Sequence, residues 1–264
     1  MNDAPASQQH RPVIRQIPVL TDNYVYLLHD PASGATAVVD PAVPEPVLAV
    51  LRETGWRLTH ILNTHHHGDH VGGNRVLKEA TGAVIVGPRA DRDRIPLIDI
   101  EVGDGDTYTV GTLTARVFDV PGHTRGHIAY WFEDAHALFC GDTMFMMGCG
   151  RLFEGTPAQM WRSLGALRDL PGDTMVYCAH EYTQSNARFA LTVDPENPAL
   201  RERARRVDAL RAEGRPTVPG PISVERETNP FLRADRPEVQ RAVGLPGADP
   251  VAVFAEIRRR KDNF

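Results

Sequence analysis

The stretch Thr64-His65-His66-His67-Gly68-Asp69-His70 crowds imidazoles and a carboxylate into one short loop. A folded core has no use for that density of titratable groups, so the chain must converge on something that uses them. Residues i and i+2 of an extended segment point the same way, which lets His65 and His67 share one metal ion while His66 faces away. Gly68 lacks a Cβ, and the sharp turn this allows is expected to redirect Asp69 and His70 toward a second ion. Neutral imidazole with about one carboxylate per metal suits zinc, iron or manganese and lacks the thiolates of structural zinc. The loop reads as half of a dinuclear catalytic metal site.

A metal needs about four ligands, so the loop is incomplete alone. Three later residues share its local setting, each at the end of an apolar run beside a glycine or a turn. They are His123 in Pro121-Gly122-His123-Thr124, Asp142 in Phe139-Cys140-Gly141-Asp142-Thr143, and His180 in Val176-Tyr177-Cys178-Ala179-His180. Together with His65, His67, Asp69 and His70 they serve two metals if one carboxylate bridges. His127 reads as a supporting or packing residue. His10, His29, His60 and His136 read as surface or satisfied core. Asp40 either orients the metal loop or is a plain turn carboxylate.

Short β-rich runs separated by Gly, Pro and Asp fill the first two thirds, among them Val13–Leu20, Tyr24–His29, Thr36–Asp40, His60–Asn63, Ala83–Val86 and Leu113–Val120. Helical spacing interrupts them at Pro46–Thr54, Gly73–Ala80 and Pro157–Asp169, so the class is α/β. Beyond Tyr182 strand signals nearly vanish. Asn197–Gly214 carries Leu200, Ala204, Val207 and Leu210 on one stripe, and a last helix runs over about Pro250–Lys261. These patterns predict a catalytic domain over 1–182 and a small helical domain over 183–264. At 264 residues the chain is long enough to bury a full core.

No uninterrupted apolar segment is long enough for a membrane span, and Met1–Arg11 lacks the apolar run of a secretory signal, so the cytoplasm is the expected compartment. Cys140, Cys149 and Cys178 form no Cys-x-x-Cys pair, which points to reduced, buried thiols. The net charge of −5 argues against a general nucleic-acid binder. The charged helix Arg201–Arg215 lacks aromatics and reads as a solvated face.

Thr64-His65-His66-His67-Gly68-Asp69-His70, Gly122-His123-Thr124, Gly141-Asp142-Thr143 and His180-Glu181-Tyr182-Thr183 resemble, in order and spacing, the motifs of the metallo-β-lactamase superfamily. Gly148-Cys149-Gly150-Arg151-Leu152-Phe153-Glu154 and the terminal Arg258-Arg259-Arg260-Lys261-Asp262 are similar, more narrowly, to the glyoxalase II family, the hydroxyacylglutathione hydrolases. The resemblance implies an αβ/βα sandwich with a small C-terminal helical domain. It implies one metal held by His65, His67 and His123, another by Asp69, His70 and His180, and Asp142 as the bridge. Asp69, His70 and Asp142 are then the catalytic set, and Arg151, Tyr182, Arg258 and Lys261 contact glutathione. Many glyoxalase II sequences carry lysine and tyrosine where this chain has Arg151 and Phe153, and the missing phenol removes a hydrogen bond to the glutathione backbone.

The implied reaction is hydrolysis of a glutathione thioester such as S-lactoylglutathione. Two cations about 3.5–4 Å apart lower the pKa of a shared water from roughly 15.7 to near 7, and the thiolate leaving group, with a parent pKa of roughly 8.5, departs without a strong acid. Three rivals remain at this point. One is a glutathione-linked persulfide dioxygenase with a single iron, another a lactonase or nuclease of the same superfamily. The third is a binding module whose metal is structural and whose helical tail docks a partner.

Overall fold

A computed structural model describes residues 11–264, so the reading of Met1–Arg11 lies, apart from Arg11, outside the described residues. The chain divides into two compact units. One runs to Phe118 and adds Ile128–Phe139; the other comprises Asp119–His127 and Cys140–Phe264.

The first unit carries β1 (Val13–Val19), β2 (Asn23–His29), β3 (Ala35–Val39), α1 (Pro44–Thr54), β4 (Arg57–Leu62), α2 (Gly68–Val71), α3 (Asn74–Thr81), β5 (Val84–Pro88) and β6 (Ile100–Val102). It continues with β7 (Thr107–Val110), β8 (Leu113–Asp119) as far as Phe118, β9 (Ile128–Phe132) and β10 (Ala137–Gly141) as far as Phe139. Strands β1 to β6 form one sheet in sequence order. The first three pair antiparallel through tight connections, Val19 opposite Asn23 and Tyr26 opposite Val39. From β3 onward the pairing is parallel, because α1 and then α2–α3 carry the chain back between strands. β10, β9, β8 and β7 are neighbours in that order in a second sheet.

Parallel strands flanked by helices are buried on both faces, which explains the unbroken apolar runs at Thr36–Val39 and Ile61–Leu62. Val25, Leu27, Val38, Val47, Ile61, Leu77 and Ile85 form one core cluster with the inner faces of α1 and α3. The C-terminal ends of β3 and β4 lie side by side, Val39 opposite Leu62. Asp40 and the histidine-rich loop therefore leave the sheet next to each other. Such strand ends are where open parallel sheets collect their functional loops.

The second unit carries β11 (Met144–Phe145), β12 (Gly148–Cys149), α4 (Pro157–Arg168), β13 (Met175–Cys178), α5 (Thr183–Val193), α6 (Pro198–Ala212), β14 (Gly220–Pro221), α7 (Ile222–Thr228), α8 (Pro237–Ala242) and α9 (Pro250–Asp262). Thr156 and Gln159 form a reciprocal capping box at the start of α4, with Pro157 in the first turn. Leu200, Ala204 and Val207 bury the predicted stripe of α6 against Ala187 and Ala190 of α5 and against Met147. Beyond Tyr182 the only strand among the described residues is the two-residue β14.

Asp30, buried at the end of β2, fastens two turns of the first unit. Its carboxylate accepts from Ala32 N (3.0 Å), Ser33 Oγ (2.6 Å), Thr112 N (2.7 Å) and Thr112 Oγ1 (2.9 Å). Burial pushes the carboxyl up, but these donors outweigh it and hold the pKa at about 2. A folded-state pKa below the ordinary value gives stabilisation that is complete above about pH 4 and is lost as the pH falls through about 2. Asp30→Asn should lower stability at pH 7 by about 1–3 kcal/mol. It should also flatten the acid limb of a thermal-melt series, and an unchanged acid limb would contradict the assignment.

Candidate metal centre

In the first unit the donors leave β4 through Asn63 and Thr64. Asp40 is fully engaged beneath them: Oδ1 accepts from Thr64 N at 2.8 Å, and Oδ2 from Thr64 Oγ1 at 2.7 Å and His70 Nδ1 at 3.0 Å. Of the two roles left open for Asp40, the structure shows the orienting one. The residue takes a left-handed conformation (φ 50°), which aspartate tolerates better than most side chains and which turns its carboxylate back under the loop. With Nδ1 of His70 facing Asp40, Nε2 is the nitrogen left for a metal. His65 Nε2 and His67 Nδ1 lie 3.0 Å apart, so residues i and i+2 do present their rings to one another. His65 and His70 rings are 4.0 Å apart.

The turn after His67 has a different cause from the one expected. Gly68 has no left-handed φ and open space where a Cβ would sit. It opens the one-turn helix α2, and this helix redirects Asp69 and His70. The glycines that close approach requires are Gly72 and Gly73. A Cβ on Gly72 would lie 2.5 Å from Ala42 O, and one on Gly73 2.7 Å from Pro41 O. Gly73 N donates to Pro41 O at 2.7 Å, locking the histidine loop to the turn that carries Asp40.

Asp69, half-buried, accepts from Asn23 Nδ2 at 3.0 Å through Oδ2, and that oxygen lies 3.6 Å from His70 Nε2. Asn63 Nδ2 donates to His70 O at 3.2 Å, and Asn63 and Asn74 exchange side-chain amide bonds. His66 turns away, Nδ1 2.9 Å from the buried carboxylate of Asp91 and Nε2 3.2 Å from Arg94.

In the second unit one carboxylate lies between two imidazoles. Asp142 Oδ2 is 3.3 Å from His123 Nε2, and Oδ1 is 3.3 Å from His180 Nε2. His123 donates through Nδ1 to Arg151 O at 2.9 Å, which leaves Nε2 as the nitrogen turned to Asp142. His180 stacks on Tyr182 with ring centroids 4.7 Å apart, and Phe145 meets it edge-on at 5.8 Å. His127 Nε2 accepts from Asp142 N at 3.1 Å and Nδ1 faces Thr143 Oγ1 at 3.3 Å, so it supports Asp142 from below. A Cβ on Gly150 would collide with the carbonyl oxygen of Asp142, so only glycine lets that ribbon close beneath the carboxylate.

The residues expected to contact substrate also lie in this unit. Phe153 is 62% exposed with its ring 5.1 Å from that of His123. Arg258 is buried: Nη1 donates to Cys149 O at 3.0 Å, Nη2 pairs with Asp262 at 2.9 Å, and the guanidinium lies over Phe231. Arg259 and Arg260 both pair with Glu256, so the terminal basic run is narrower electrostatically than its sequence suggests. Burial lowers the pKa of Lys261; Arg258 and Arg151 lower it further, against Asp262. Lys261 therefore sits in a cationic field that an anion would relieve.

All three cysteines are buried and none forms a disulfide. Burial pushes Cys178 to about 12 and Cys149 to about 11, and raises Cys140 as well, so none supplies a thiolate ligand or nucleophile at neutral pH.

Residues 20–180 match the metallo-β-lactamase superfamily and residues 181–264 match the hydroxyacylglutathione hydrolase C-terminus. The hydroxyacylglutathione hydrolase of Methylococcus capsulatus is 65% identical over 95% of this chain and 98% of the relative. That of Rhodospirillum rubrum is 59% identical over 95% and 98%. Among solved structures, ETHE1 from Myxococcus xanthus is 28% identical, with a TM-score of 0.65 over 94% of this chain and 98% of that one. The BLEG-1 B3 metallo-β-lactamase has the same TM-score at 22% identity, over 83% and 99%, and shows the fold alone. The chain belongs to the metallo-β-lactamase superfamily and, within it, to the family of the hydroxyacylglutathione hydrolases. Its fold is the α/β fold of that superfamily followed by the family's helical C-terminal segment, as the sequence motifs implied. Its histidine and aspartate groups are suited to a dinuclear metal centre.

Removing Asp40 should loosen His70 and Thr64 together. Asp40→Ala should weaken metal binding about 10–100-fold in competition with a chromophoric chelator, while Asp134→Ala, on an exposed turn, should leave it unchanged. Equal retention in both variants would remove Asp40 from the support of the site.

Proposed function

We propose that this chain is a dinuclear-metal thioester hydrolase that cleaves S-2-hydroxyacylglutathione, such as S-lactoylglutathione, to glutathione and a 2-hydroxy acid. The single observation that carries the reading is the carboxylate of Asp142 with each oxygen turned to a different imidazole, the arrangement a bridging ligand needs. His65, His67 and His123 would hold one cation, Asp69, His70 and His180 the other, and Asp142 would serve both. Within the first unit the assignment is supported by His65 Nε2 lying 3.0 Å from His67 Nδ1 and by the 4.0 Å between the rings of His65 and His70, and within the second by His123 and His180 on the two oxygens of Asp142. The donors are imidazoles and carboxylates with no available thiolate, which fits zinc, iron or manganese in a catalytic site.

When bound, the two cations supply hydroxide at neutral pH and Lewis-acid stabilisation of the thioester oxyanion. The protein's own groups do the rest. Asp40, acting on His70, and Arg151 O, acting on His123, hold those rings in the tautomer that leaves Nε2 as donor. Asp69 offers a carboxylate oxygen that can accept a proton from the attacking water, while Asp142, with both oxygens committed to the bridge, acts by holding the two sets of donors in register. No side-chain acid is needed at the leaving group, because a glutathione thiolate is stable near neutrality.

Glutathione is anionic, and the chain is net acidic, so its recognition is local. Lys261, Arg151 and Arg258 supply the charge, and Tyr182 supplies a phenol beside His180. Phe153, on the His123 side, offers only an apolar ring. The functional division falls at 1–182 for the metal-binding domain and 183–264 for the substrate domain, close to where the two family matches meet and distinct from the compact units. The cytoplasm is the proposed compartment, consistent with three thiols outside any disulfide. Among the described residues no helix is long and apolar enough to cross a membrane.

The hydrolase is favoured over a one-iron persulfide dioxygenase because relatives at 52–65% identity carry the hydrolase name. Mixing the protein with S-lactoylglutathione should release thiol without consuming oxygen. A chelator should abolish the release, and added zinc or manganese should restore it. Oxygen uptake without thioester cleavage would overturn the reading. Because Lys261 must be charged to grip a carboxylate and its pKa is already lowered, KM should rise as the pH climbs toward the lysine range. Lys261→Met should raise KM several-fold at pH 7 and remove that rise, with kcat little changed. An unaltered KM would take Lys261 out of the clamp.

A further inference from the structure

The segment Asn229-Pro230-Phe231-Leu232-Arg233 has no part in the chemistry above, yet Asn229 is fully buried and every polar atom of its side chain is used. The two hydrogens of its Nδ2 are shared among Phe145 O at 3.1 Å, Gly148 O at 3.0 Å and Glu225 Oε2 at 3.0 Å, one of them between two acceptors. Its Oδ1 accepts from Phe231 N at 3.0 Å. Phe145 and Gly148 face each other across the β11–β12 ribbon, so a single amide grips both strands at the mouth of its turn. Glu225, also fully buried, holds the tip: Oε2 accepts from Met147 N at 2.9 Å while Oε1 pairs with Arg203. Asn186 Nδ2 takes Met146 O at 3.1 Å.

That ribbon grows directly out of Asp142. Thr143 N donates to Cys140 O, and Gly150 N returns to Thr143 O, closing Asp142–Gly150 into one loop with Gly150 pressed against the backbone of Asp142. Its Phe145 ring lies against both His180 and Tyr182. A small displacement of the ribbon moves Asp142 and the wall beside His180 together.

We propose that Asn229 and Glu225 are positioning residues for the metal centre, setting the place of Asp142 and His180 through the Phe145–Gly148 ribbon. The inference rests on Asp142 and His180 being metal ligands. A buried amide and carboxylate with every hydrogen bond met can hold one geometry; losing either leaves carbonyls or amide hydrogens without partners and frees the ribbon. Support of this kind is what fixes ligands within the narrow tolerance that metal sites need.

The test uses the full-length protein as Asn229→Ala, Asn229→Asp, Glu225→Gln and, for comparison, Val239→Ala, a core truncation in α8. Melting curves identify the variants that fold. Metal affinity is read by chelator competition, the ligand field by the absorption spectrum of the cobalt(II) form, and turnover as kcat and KM separately. The expected result is a metal affinity about 10–100-fold lower in the Asn229 and Glu225 variants, with an altered cobalt spectrum and a reduced kcat at nearly constant KM. Val239→Ala loses only melting temperature. Glu225→Gln keeps the volume but sets an NH2 group against a donor at one of the two oxygen positions, whose partners are Met147 N with Asn229 Nδ2 and Arg203, so it removes hydrogen bonds without opening a cavity and decides the question if the Asn229 variants do not fold. A wild-type spectrum and wild-type metal affinity in every folded variant would overturn the inference alone. Wild-type metal affinity in Asp142→Ala as well would overturn the site assignment beneath it.

Discussion

A carboxylate that faces two imidazoles, one from each oxygen, is the constraint on which this molecule is organised. Asp142 cannot hold that geometry alone, since aspartate in a loop has two free torsions and a strong preference for water. His127 takes its backbone N–H, Gly150 closes under its carbonyl, and the ribbon beyond it is pinned by Asn229 and Glu225. The other donor set has its own keystone in Asp40, which gathers a backbone amide, a hydroxyl and an imidazole into one buried carboxylate. In both places the protein spends buried polar contacts on direction, and a half-satisfied network of this kind would cost more than it stabilises.

The substrate side follows a different logic. Catalysis needs rigid donors, whereas recognition of a flexible anionic tripeptide needs charge that water can still reach. Arg259 and Arg260 are tied to Glu256, and Arg258 is buried against Cys149 and Phe231, which leaves Lys261 in the field of Arg151 and Arg258 as the group that most gains from a carboxylate. The aromatic neighbours differ as well: Tyr182 brings a phenol to the His180 side, while Phe153 lays a bare ring beside His123.

The strands β1 to β5, the helices α1, α3, α4, α6 and α9, and the crowding of His65, His67 and His70 were legible in the sequence for one reason. Each carries a pattern that local chemistry alone explains, whether alternation, three-and-four spacing, or rare ligands gathered in a loop. The strands β6 and β7 escaped because Ile100-Glu101-Val102 is too short to show a period and Thr107–Val110 is largely exposed. What could not be read was the supporting cast. Asn23, Asn63, Asn74 and Asn229 look in sequence like turn formers, and only the tertiary structure shows each amide turned inward onto a donor or its loop. Gly68 shows the converse error, for the glycine beside the ligands is ordinary helix and the tight contacts belong to Gly72 and Gly73, where one backbone meets another.

The most direct measurement of the central claim is a titration of the metal-free protein with zinc against a chelator of known affinity, on the wild type and on Asp142→Ala. Two equivalents bound by the wild type, with loss of at least one in the variant, is the predicted result. A single equivalent in the wild type, or two that survive removal of Asp142, would contradict a dinuclear centre bridged by that carboxylate.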